Sequence, residues 1–203
     1  MSSRLKLVVA TRNKGKLREI KAILGDLPIE IASLDDFPEI GPIEEDGTTF
    51  EENAVKKALH VWQATHLATL ADDSGLEVDV LGGEPGVHSA RFAGPEQDYE
   101  KNNRKLLEML KDVPPSERKA RFVCVAVLVT PAGKIVMQRG EIEGEIAEQP
   151  RGSAGFGYDP IFYVPSLGKT VAELDEATKN RISHRGRALE GIKGLLRGFL
   201  STP

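Results

Sequence analysis

The sequence predicts a mixed α/β fold in which helices pack against a mixed β-sheet. Nearly continuous apolar runs, such as Leu5 to Ala10 and Ala120 to Thr130, are typical of strands covered on both faces. Segments with apolar residues at helical spacing alternate with these runs, as between Tyr99 and Val113. The turn Pro131-Ala132-Gly133 follows the second of these runs, and two further extended segments come after it, which predicts antiparallel strands.

The predicted elements follow one another without a linker long enough to separate independent domains. A short strand, Ala68 to Ala71, is expected to stop at the polar segment Asp72-Asp73-Ser74-Gly75, because polar clusters that contain Gly mark turns. In chain order we predict strands over 5–10 and 29–33, helices over 17–24 and from Thr48 or Thr49 onward, strands over 68–71 and 76–81, a helix over 99–113, strands over 120–130, 134–138 and 141–146, and a helix over 183–200.

Length and composition are those of a soluble globular protein. The chain has 203 residues, of which 40% are hydrophobic and 29% charged, and it is long enough to bury a core. No apolar stretch approaches the roughly 20 residues that cross a bilayer, and the run over 5–10 is too short for a signal peptide. We therefore expect a cytoplasmic protein without a membrane partner. The single cysteine, Cys124, excludes an internal disulfide and is interpreted as a small buried hydrophobe.

The net charge of the chain is slightly negative. It has 27 Lys and Arg against 31 Asp and Glu, a formal net charge of -4. No overall positive field draws such a protein to nucleic acid, which we exclude as a partner. An anionic ligand must instead be gathered by a local set of cations.

The first candidate site is the segment Thr11 to Lys16, which joins a predicted strand to a predicted helix. Such a junction points backbone N–H groups and the positive end of the helix at one spot, which suits phosphate. Lys14 and Lys16 add positive charge, and Asn13 tolerates unusual backbone angles. The segment lacks the GxxxxGK[ST] pattern of a Walker P-loop. It is a candidate phosphate site, and a solvated basic turn is the alternative.

The second candidate site is the acid pair Asp72 and Asp73. Adjacent carboxylates repel each other unless a cation or solvent compensates them. Mg²⁺ takes oxygen ligands, and one or two carboxylates suffice when waters and substrate phosphates complete its shell. Glu44 or Glu45 is a candidate third acid, whereas the four histidines show no zinc-like spacing. The pair indicates a magnesium site, and an acidic turn is the alternative.

The third candidate site is the segment Gly155 to Pro160. Its glycines flank Phe156 and would let the ring lie close to a flat ligand, while Asp159 could accept hydrogen bonds from the edge of a base. A Gly-rich turn with packed aromatic residues is the alternative.

The fourth candidate site is the segment Lys179 to Arg185. Ser183 is predicted to cap a helix, which places His184 and Arg185 in its first turn. Cations there oppose the helix dipole at a cost of about 0.3 to 1 kcal/mol each. This placement favours an electron-rich ligand, and a chance arrangement on an exposed helix is the alternative.

Taken together and in order, these segments resemble the inosine triphosphate pyrophosphatase family, which acts on non-standard purine nucleoside triphosphates. The resemblance covers almost the whole chain. A departure is Arg12, where relatives often have Gly; we expect it to add a contact in the phosphate loop. The matching segments are TRNKGK (11–16), EEDGTTFEENAVKKA (44–58), ADDSGLEVDVLGGEPGVHSAR (71–91), GFGYDPIF (155–162) and SHRGRAL (183–189).

The resemblance implies a single two-lobed α/β domain over residues 1–203, with a substrate cleft between the lobes, and a homodimer. It also implies an Mg²⁺-dependent enzyme that hydrolyses ITP, dITP and XTP to the monophosphate and pyrophosphate. Asp73 would accept a proton from the attacking water, supported by Asp72, and Glu44 and Asp73 would bind the metal. The implied substrate-binding residues are Thr11, Asn13, Lys16 and Lys57 for the phosphates, Ser74 and Arg91 as further contacts, Phe156, Gly157, Tyr158 and Asp159 for the base pocket, and Lys179, His184 and Arg185 for the edge of the base.

These roles offer a chemical basis for selectivity. Deaminated purines carry a carbonyl group at position 6, where adenine carries an amino group. Donors such as Lys179 and Arg185 would satisfy that carbonyl but would face adenine unpaired, at a cost of about 1 to 3 kcal/mol. Two alternatives are a pyrophosphatase for pyrimidine triphosphates, similar to the Maf-like group, and a nucleotide sensor without catalytic activity.

Overall fold

The computed structural model describes residues 4–200, which contain seven β-strands and five α-helices joined by loops and short 3-10 turns. No helix within this range is both long and apolar enough to cross a membrane. The elements are β1 (Leu5–Val9), α1 (Lys14–Leu24), β2 (Ile29–Ser33), α2 (Phe50–Thr65), β3 (Ala68–Val78), α3 (Tyr99–Met109), β4 (Lys119–Val129), β5 (Ile135–Ile146), β6 (Phe162–Val164), β7 (Lys169–Thr170), α4 (Glu176–Ile182) and α5 (His184–Leu200).

The strands form one mixed sheet in the order β2-β1-β3-β4-β5-β6-β7. β1 runs parallel to both of its neighbours, so that Leu7 lies beside Ile31 on β2 and beside Ala68 on β3. β6 runs antiparallel to β5 and to β7. The turn between β4 and β5 is closed by a hydrogen bond from the N–H of Thr130 to the carbonyl of Lys134 at 2.9 Å. A mixed sheet with flanking helices confirms the predicted fold class.

The chain forms two compact units. The first contains the residues up to Asp73, Cys124–Gly140 and the residues from Arg185 onward; the second contains Ser74–Val123 and Glu141–His184. The prediction of a single domain with a cleft between two lobes depends on how these units are arranged, and it stays a prediction.

Each unit has its own apolar core. In the first, the helices α1 and α5 bury residues such as Ile20 and Ile192 together with Leu70 of β3. In the second, Leu106 of α3 packs with Phe162 of β6. Cys124 is fully buried in the first core, and burial raises the pKa of its thiol to about 12, which confirms its interpretation as a buried hydrophobe.

Side-chain caps explain where the helices begin. Each of α1 to α4 follows a residue whose side chain accepts an N–H near the start of that helix, which satisfies a donor that has no partner within the helix. Thr49 is the cap of α2, one of the two predicted candidates. Asn13 caps α1 through the N–H of Lys16 at 3.1 Å, so this helix begins at Lys14 rather than at the predicted Leu17.

Two predicted interruptions of strands are wrong. The segment Ala68–Val78 is one continuous strand that runs through Asp72 and Asp73, and Ile135–Ile146 is also continuous. Polar residues and glycines resemble turn signals in the sequence, but in β3 the charges are compensated by cations from other elements, so the backbone stays extended. The sequence analysis also missed β6, β7 and α4, which are too short to show an apolar period.

Candidate active site

Two buried carboxylates lie in the middle of β3. Asp72 is 2% exposed and Asp73 is 5% exposed. Successive side chains of a strand point to opposite faces, so the two carboxylates meet different partners. Charges are buried at this depth only when they are paired and hydrogen-bonded. The acid pair is therefore part of a compensated charge cluster, which corrects the prediction that it ends a strand.

Asp73 is held by two residues of α2 that lie one turn apart. The Lys57 ammonium is 2.8 Å from Asp73 Oδ1, and the Asn53 side-chain amide is 3.4 Å from Asp73 Oδ2. Burial raises the pKa of Asp73, although Lys57 and Lys16 oppose this shift. Burial works against the charge of Lys57 as well, but Asp73 and Glu45 outweigh it and raise the pKa of Lys57. A buried carboxylate with a raised pKa is suited to accept a proton from water.

Asp72 belongs to a second chain of ion pairs. Its Oδ2 lies 3.0 Å from Lys16 Nζ and 3.2 Å from Arg185 Nη2. The same guanidinium contacts Glu19 Oε2 through Nη1 at 2.5 Å, and both Glu19 and Arg185 are buried. Burial alone would lower the pKa of Arg185, but these two carboxylates raise it. Arg185 therefore stays charged in the interior and fixes the position of Asp72.

The placement of Arg185 changes the interpretation of the α5 N-terminus. Arg185 lies in the first turn of α5, as predicted. Its charge is compensated by Asp72 and Glu19 of this chain, so the conflict with the helix dipole no longer requires a ligand. A direct contact of Arg185 with a base is not supported by this arrangement.

The N-terminus of α1 keeps the features of a phosphate site. Its first turn contains no acidic residue and includes Lys14 and Lys16, whose charges oppose the helix dipole. An anion at this end would compensate Lys14, add to the pairing of Lys16 with Asp72, and accept backbone hydrogen bonds. Thr11 shapes the loop by accepting the N–H of Asn13 at 3.1 Å.

Arg12 joins this loop to another part of the chain. Its guanidinium donates to the carbonyl of Ile40 at 2.7 Å and lies 3.4 Å from Asp35 Oδ1. These contacts tie the loop to the segment after β2, and a contact of Arg12 with a ligand stays a prediction.

The donor set around Asp73 fits Mg²⁺. Lys57 Nζ is also 3.2 Å from Glu45 Oε2, so one ammonium contacts the carboxylates of both Glu45 and Asp73. Burial tends to raise the pKa of Glu45, but the charges of Lys57 and Lys16 outweigh it and lower this pKa. No group of three or more His, Cys, Asp or Glu residues within residues 4–200 is placed to hold a metal by itself. Mg²⁺ needs only one or two carboxylates when waters and phosphates supply the other oxygens.

Glu44 and Glu45 are placed differently. Glu44, the predicted metal ligand, is exposed, and its carboxylate makes no hydrogen bond or ion pair with the part of the chain that the structure describes. Glu45 is the acid that this loop brings to Asp73. The assignment of Glu44 as a ligand stays a prediction.

A second cluster lies in the second unit, around the turn from Gly155 to Pro160. Asp159 Oδ2 accepts the N–H of Phe156 at 2.8 Å and lies 2.5 Å from Lys179 Nζ. The Lys179 ammonium is also 4.8 Å from the centre of the Phe156 ring. The centres of the Tyr99 and Phe156 rings are 6.2 Å apart. Gly155 has a φ of 79°, and a Cβ there would collide with the Asp159 carboxylate. The cluster combines an aromatic face with a buried ion pair.

Several other predicted site residues have structural contacts in the second unit. The Tyr158 hydroxyl donates to the carbonyl of Ser89 at 2.8 Å, and Gly157 accepts from the side-chain amide of Asn103 at 3.1 Å. The His184 ring stacks on Phe122 with their centres 4.8 Å apart. Two further predicted residues are half-buried: Ser74 follows Asp73 along β3, and Arg91 ends the 3-10 helix Gly86–Arg91.

The structure thus sorts the predicted residues into two groups. The first unit brings together Lys16, Lys57, Asp72, Asp73 and Arg185, and the second brings together Phe156, Asp159 and Lys179.

Asn53 and Glu19 are site residues that were not predicted. Asn53 precedes Lys57 by one helical turn, and Glu19 is an acid at a buried position of α1. Both signals are visible once the helices are known.

Comparison with known proteins identifies the family that this chain matches. The Ham1 family model matches residues 7–195. A protein of Geobacter sulfurreducens named dITP/XTP pyrophosphatase is 56% identical over 93% of this chain and 94% of its own length. A protein of the same name from Listeria innocua is 52% identical over 93% of each chain. A HAM1 protein structure from Coxiella burnetii matches with a TM-score of 0.87 and 45% identity, over 96% of this chain and 99% of that one. The Ham1 structure from Staphylococcus aureus matches with a TM-score of 0.85 and 41% identity, over 95% and 98%.

Proposed function

Because the chain belongs to the Ham1 family, we propose that it hydrolyses ITP, dITP and XTP to the monophosphate and pyrophosphate and so removes them from the nucleotide pool. The family assignment confirms the resemblance predicted from the sequence segments. The observation that carries the proposal is the buried acid pair of β3, compensated by cations of α1, α2 and α5. An ordered cluster of carboxylates and cations beside a basic helix N-terminus is suited to phosphoryl chemistry.

The phosphates of the substrate are assigned to the first unit. Lys16 and the backbone N–H groups at the start of α1 attract the negative charge, and Lys57 adds a second cation. Thr11 and Asn13 fix the shape of the loop that presents these groups. Arg185 acts indirectly, because it holds Asp72, which in turn contacts Lys16.

The reaction is a displacement at the α-phosphorus. Asp73 accepts a proton from a water molecule as the water oxygen bonds to this phosphorus. The bond from the α-phosphorus to the oxygen that bridges it to the β-phosphorus breaks, and pyrophosphate leaves with that electron pair. Lys16 and Lys57 stay protonated and balance the negative charge of the leaving group.

A divalent cation completes the proposal. Asp73 and Glu45 would hold Mg²⁺, and Glu44, implied by the resemblance, lies next to Glu45 in the chain. When bound, the ion supplies neutralisation of charge on the phosphate oxygens. The homodimer and the cytoplasmic location are further parts of the proposal that rest on the resemblance alone.

The base is assigned to residues of the second unit. Phe156 offers a ring face for stacking, and Lys179 offers donors for the carbonyl at position 6 of the base. An ammonium group has three donors, so Lys179 can contact Asp159 and a ligand together. Arg185 is given a positioning role in place of the predicted contact with the base.

A product assay tests this function. With ITP and Mg²⁺ we expect IMP and pyrophosphate in equal amounts, measured by anion-exchange chromatography, and much slower turnover of dTTP. Removing divalent cations with EDTA should abolish turnover, and added Mg²⁺ should restore it. Recovery of intact ITP would indicate a sensor, and faster turnover of dTTP would indicate a pyrimidine enzyme. Turnover that survives EDTA would remove the metal from the mechanism.

The ratio of kcat/KM for ITP to that for ATP should depend on Lys179. In Lys179→Ala we expect this ratio to fall by a factor equivalent to about 1 to 3 kcal/mol of activation free energy, because the donor for the 6-oxo group is lost. The ratio is independent of the folded fraction, so any loss of stability around Asp159 does not affect it. Lys16→Ala is the control, since both substrates share the same triphosphate; it should lower both rates equally. If the ratio falls in Lys16→Ala but not in Lys179→Ala, the residues assigned to the base and to the phosphates are exchanged.

A further inference from the structure

We propose that Asn53 is a positioning residue that fixes Asp73 relative to the acidic loop of residues 44–47 and thereby sets the affinity of the metal site. The inference deepens the proposed function and rests on it, since Asp73 is the proton acceptor and metal ligand of that proposal. Asn53 is not expected to contact substrate; it acts through Asp73 and the loop.

The Asn53 side chain joins two separate parts of the chain. It is 1% exposed, on α2. Its Oδ1 accepts the backbone N–H of Gly47 at 2.8 Å, and its Nδ2 lies 3.4 Å from the carbonyl of Gly47. The same Nδ2 is 3.4 Å from Asp73 Oδ2. One rigid amide therefore spans the end of the acidic loop and the carboxylate on β3.

The chemistry of these neighbours selects an amide at position 53. The N–H of Gly47 requires an acceptor, while the carbonyl of Gly47 and the Asp73 carboxylate require a donor. A carboxylate at position 53 would meet the first demand but would place a negative charge against Asp73. An apolar side chain would leave buried polar groups unpaired.

The contact between the loop and the helix is close. A Cβ on Gly47 would lie 2.7 Å from Asn53 Oδ1 and 2.9 Å from the Cβ of Glu52, so only glycine allows this approach. The position of the loop backbone is therefore tied to the position of the Asn53 amide.

Lys57 repeats the same connection one turn later in α2. Its ammonium contacts Asp73 Oδ1 at 2.8 Å and Glu45 Oε2 at 3.2 Å. Each oxygen of Asp73 thus has its own donor from α2, and each donor also reaches the acidic loop. Lys57 supplies the compensating charge, whereas the neutral Asn53 adds a fixed direction. Loss of Asn53 should leave the charge balance intact but free the carboxylate and the loop to move apart.

The test compares Asn53→Ala with Asn102→Ala. Asn102 is also 1% exposed, and its amide holds a loop by accepting from Ala93 at 2.7 Å and donating to Ala90 at 3.0 Å, but its loop carries no proposed metal ligand. Binding of Mn²⁺ without nucleotide is measured by EPR titration of free Mn²⁺, and the Mg²⁺ concentration for half-maximal ITP hydrolysis is measured in parallel. In Asn53→Ala we expect both constants to rise by about 10-fold or more, as for partners that orient metal ligands. Asn102→Ala should leave both at their wild-type values.

The outcomes separate the inference from the proposed function. Metal constants in Asn53→Ala that match wild type, or that shift no more than in Asn102→Ala, would overturn the positioning role. A wild-type protein that fails to hydrolyse ITP would reject the proposed function, while the Mn²⁺ titration would still test Asn53. If Asn53→Ala does not fold, the neutral Asn53→Ser replaces it in both metal measurements. Its shorter side chain loses the amide contact with Asp73 without adding a charge, so we expect both constants to rise by about 10-fold or more; wild-type constants would overturn the inference.

Discussion

Asp73→Asn is expected to abolish hydrolysis of ITP while leaving the fold intact. The amide keeps the size of the side chain but removes both the negative charge and the site that accepts a proton from water. We expect kcat to fall by at least about 100-fold, equivalent to about 2.7 kcal/mol of activation free energy. The measurement is kcat at saturating ITP and Mg²⁺, together with a circular dichroism spectrum and a thermal unfolding curve.

A matched control separates Asp73 from the general charge of its surroundings. Asp46 belongs to the acidic loop of residues 44–47 in the same unit, but it is exposed and pairs with Lys56 at 2.5 Å. Asp46→Asn removes the same charge and should leave kcat near the wild-type value, since exposed ion pairs contribute little. A folded Asp73→Asn protein that keeps more than about a tenth of the wild-type kcat, a loss under roughly 1.4 kcal/mol, would show that the proton acceptor is misassigned.

Arg185→Ala is expected to lower the free energy of unfolding by about 3 to 5 kcal/mol. The substitution leaves Asp72 and Glu19 buried with their shared cation removed. Lys16 still contacts Asp72, but Glu19 loses its 2.5 Å ion pair. Removal of one partner from a buried charge network costs more than the network contributes, because the remaining charges stay desolvated. Urea denaturation followed by circular dichroism measures the change.

Arg197→Ala provides the comparison on the same helix. Arg197 pairs with Asp26 at 2.9 Å, and both side chains are about half exposed. We expect this substitution to cost less than about 1 kcal/mol. Equal losses for Arg185→Ala and Arg197→Ala would contradict the role of Arg185 as the centre of a buried network.

The sequence predicted the local features of the site better than its long-range pairing. The segment Thr11 to Lys16 is predictable as a strand–loop–helix junction because a buried apolar run precedes it and a helical pattern follows it. The continuity of β3 was not predicted, because the cations that compensate its acids come from distant positions. Lys57 and Asp73 are 16 residues apart in the chain, and Arg185 and Asp72 are 113 apart.

The same limit explains the interpretation of Arg185. The helix dipole depends only on the helix that carries this residue, whereas the charge of Arg185 is balanced by Glu19 of α1 and Asp72 of β3. Likewise, Glu44 and Glu45 are adjacent acids in an irregular loop, and no periodicity distinguishes the one that turns toward Asp73. Helix starts were more accessible to prediction, since Thr49 acts through residues close to it in the chain.

The ion pairs of Arg185 have a consequence for the order in which the protein can assemble on the ribosome. The first unit combines residues up to Asp73 with residues from Arg185 onward, and domains tend to fold from the N-terminus during synthesis. β1, α1 and β3 emerge long before Arg185, so Glu19 has no internal counter-charge from Arg185 while the middle of the chain is being made. The nascent chain can complete the second unit first, since all of its residues precede Arg185. Asp72 and Glu19 can therefore reach their full set of buried ion pairs only after α5 has been synthesised.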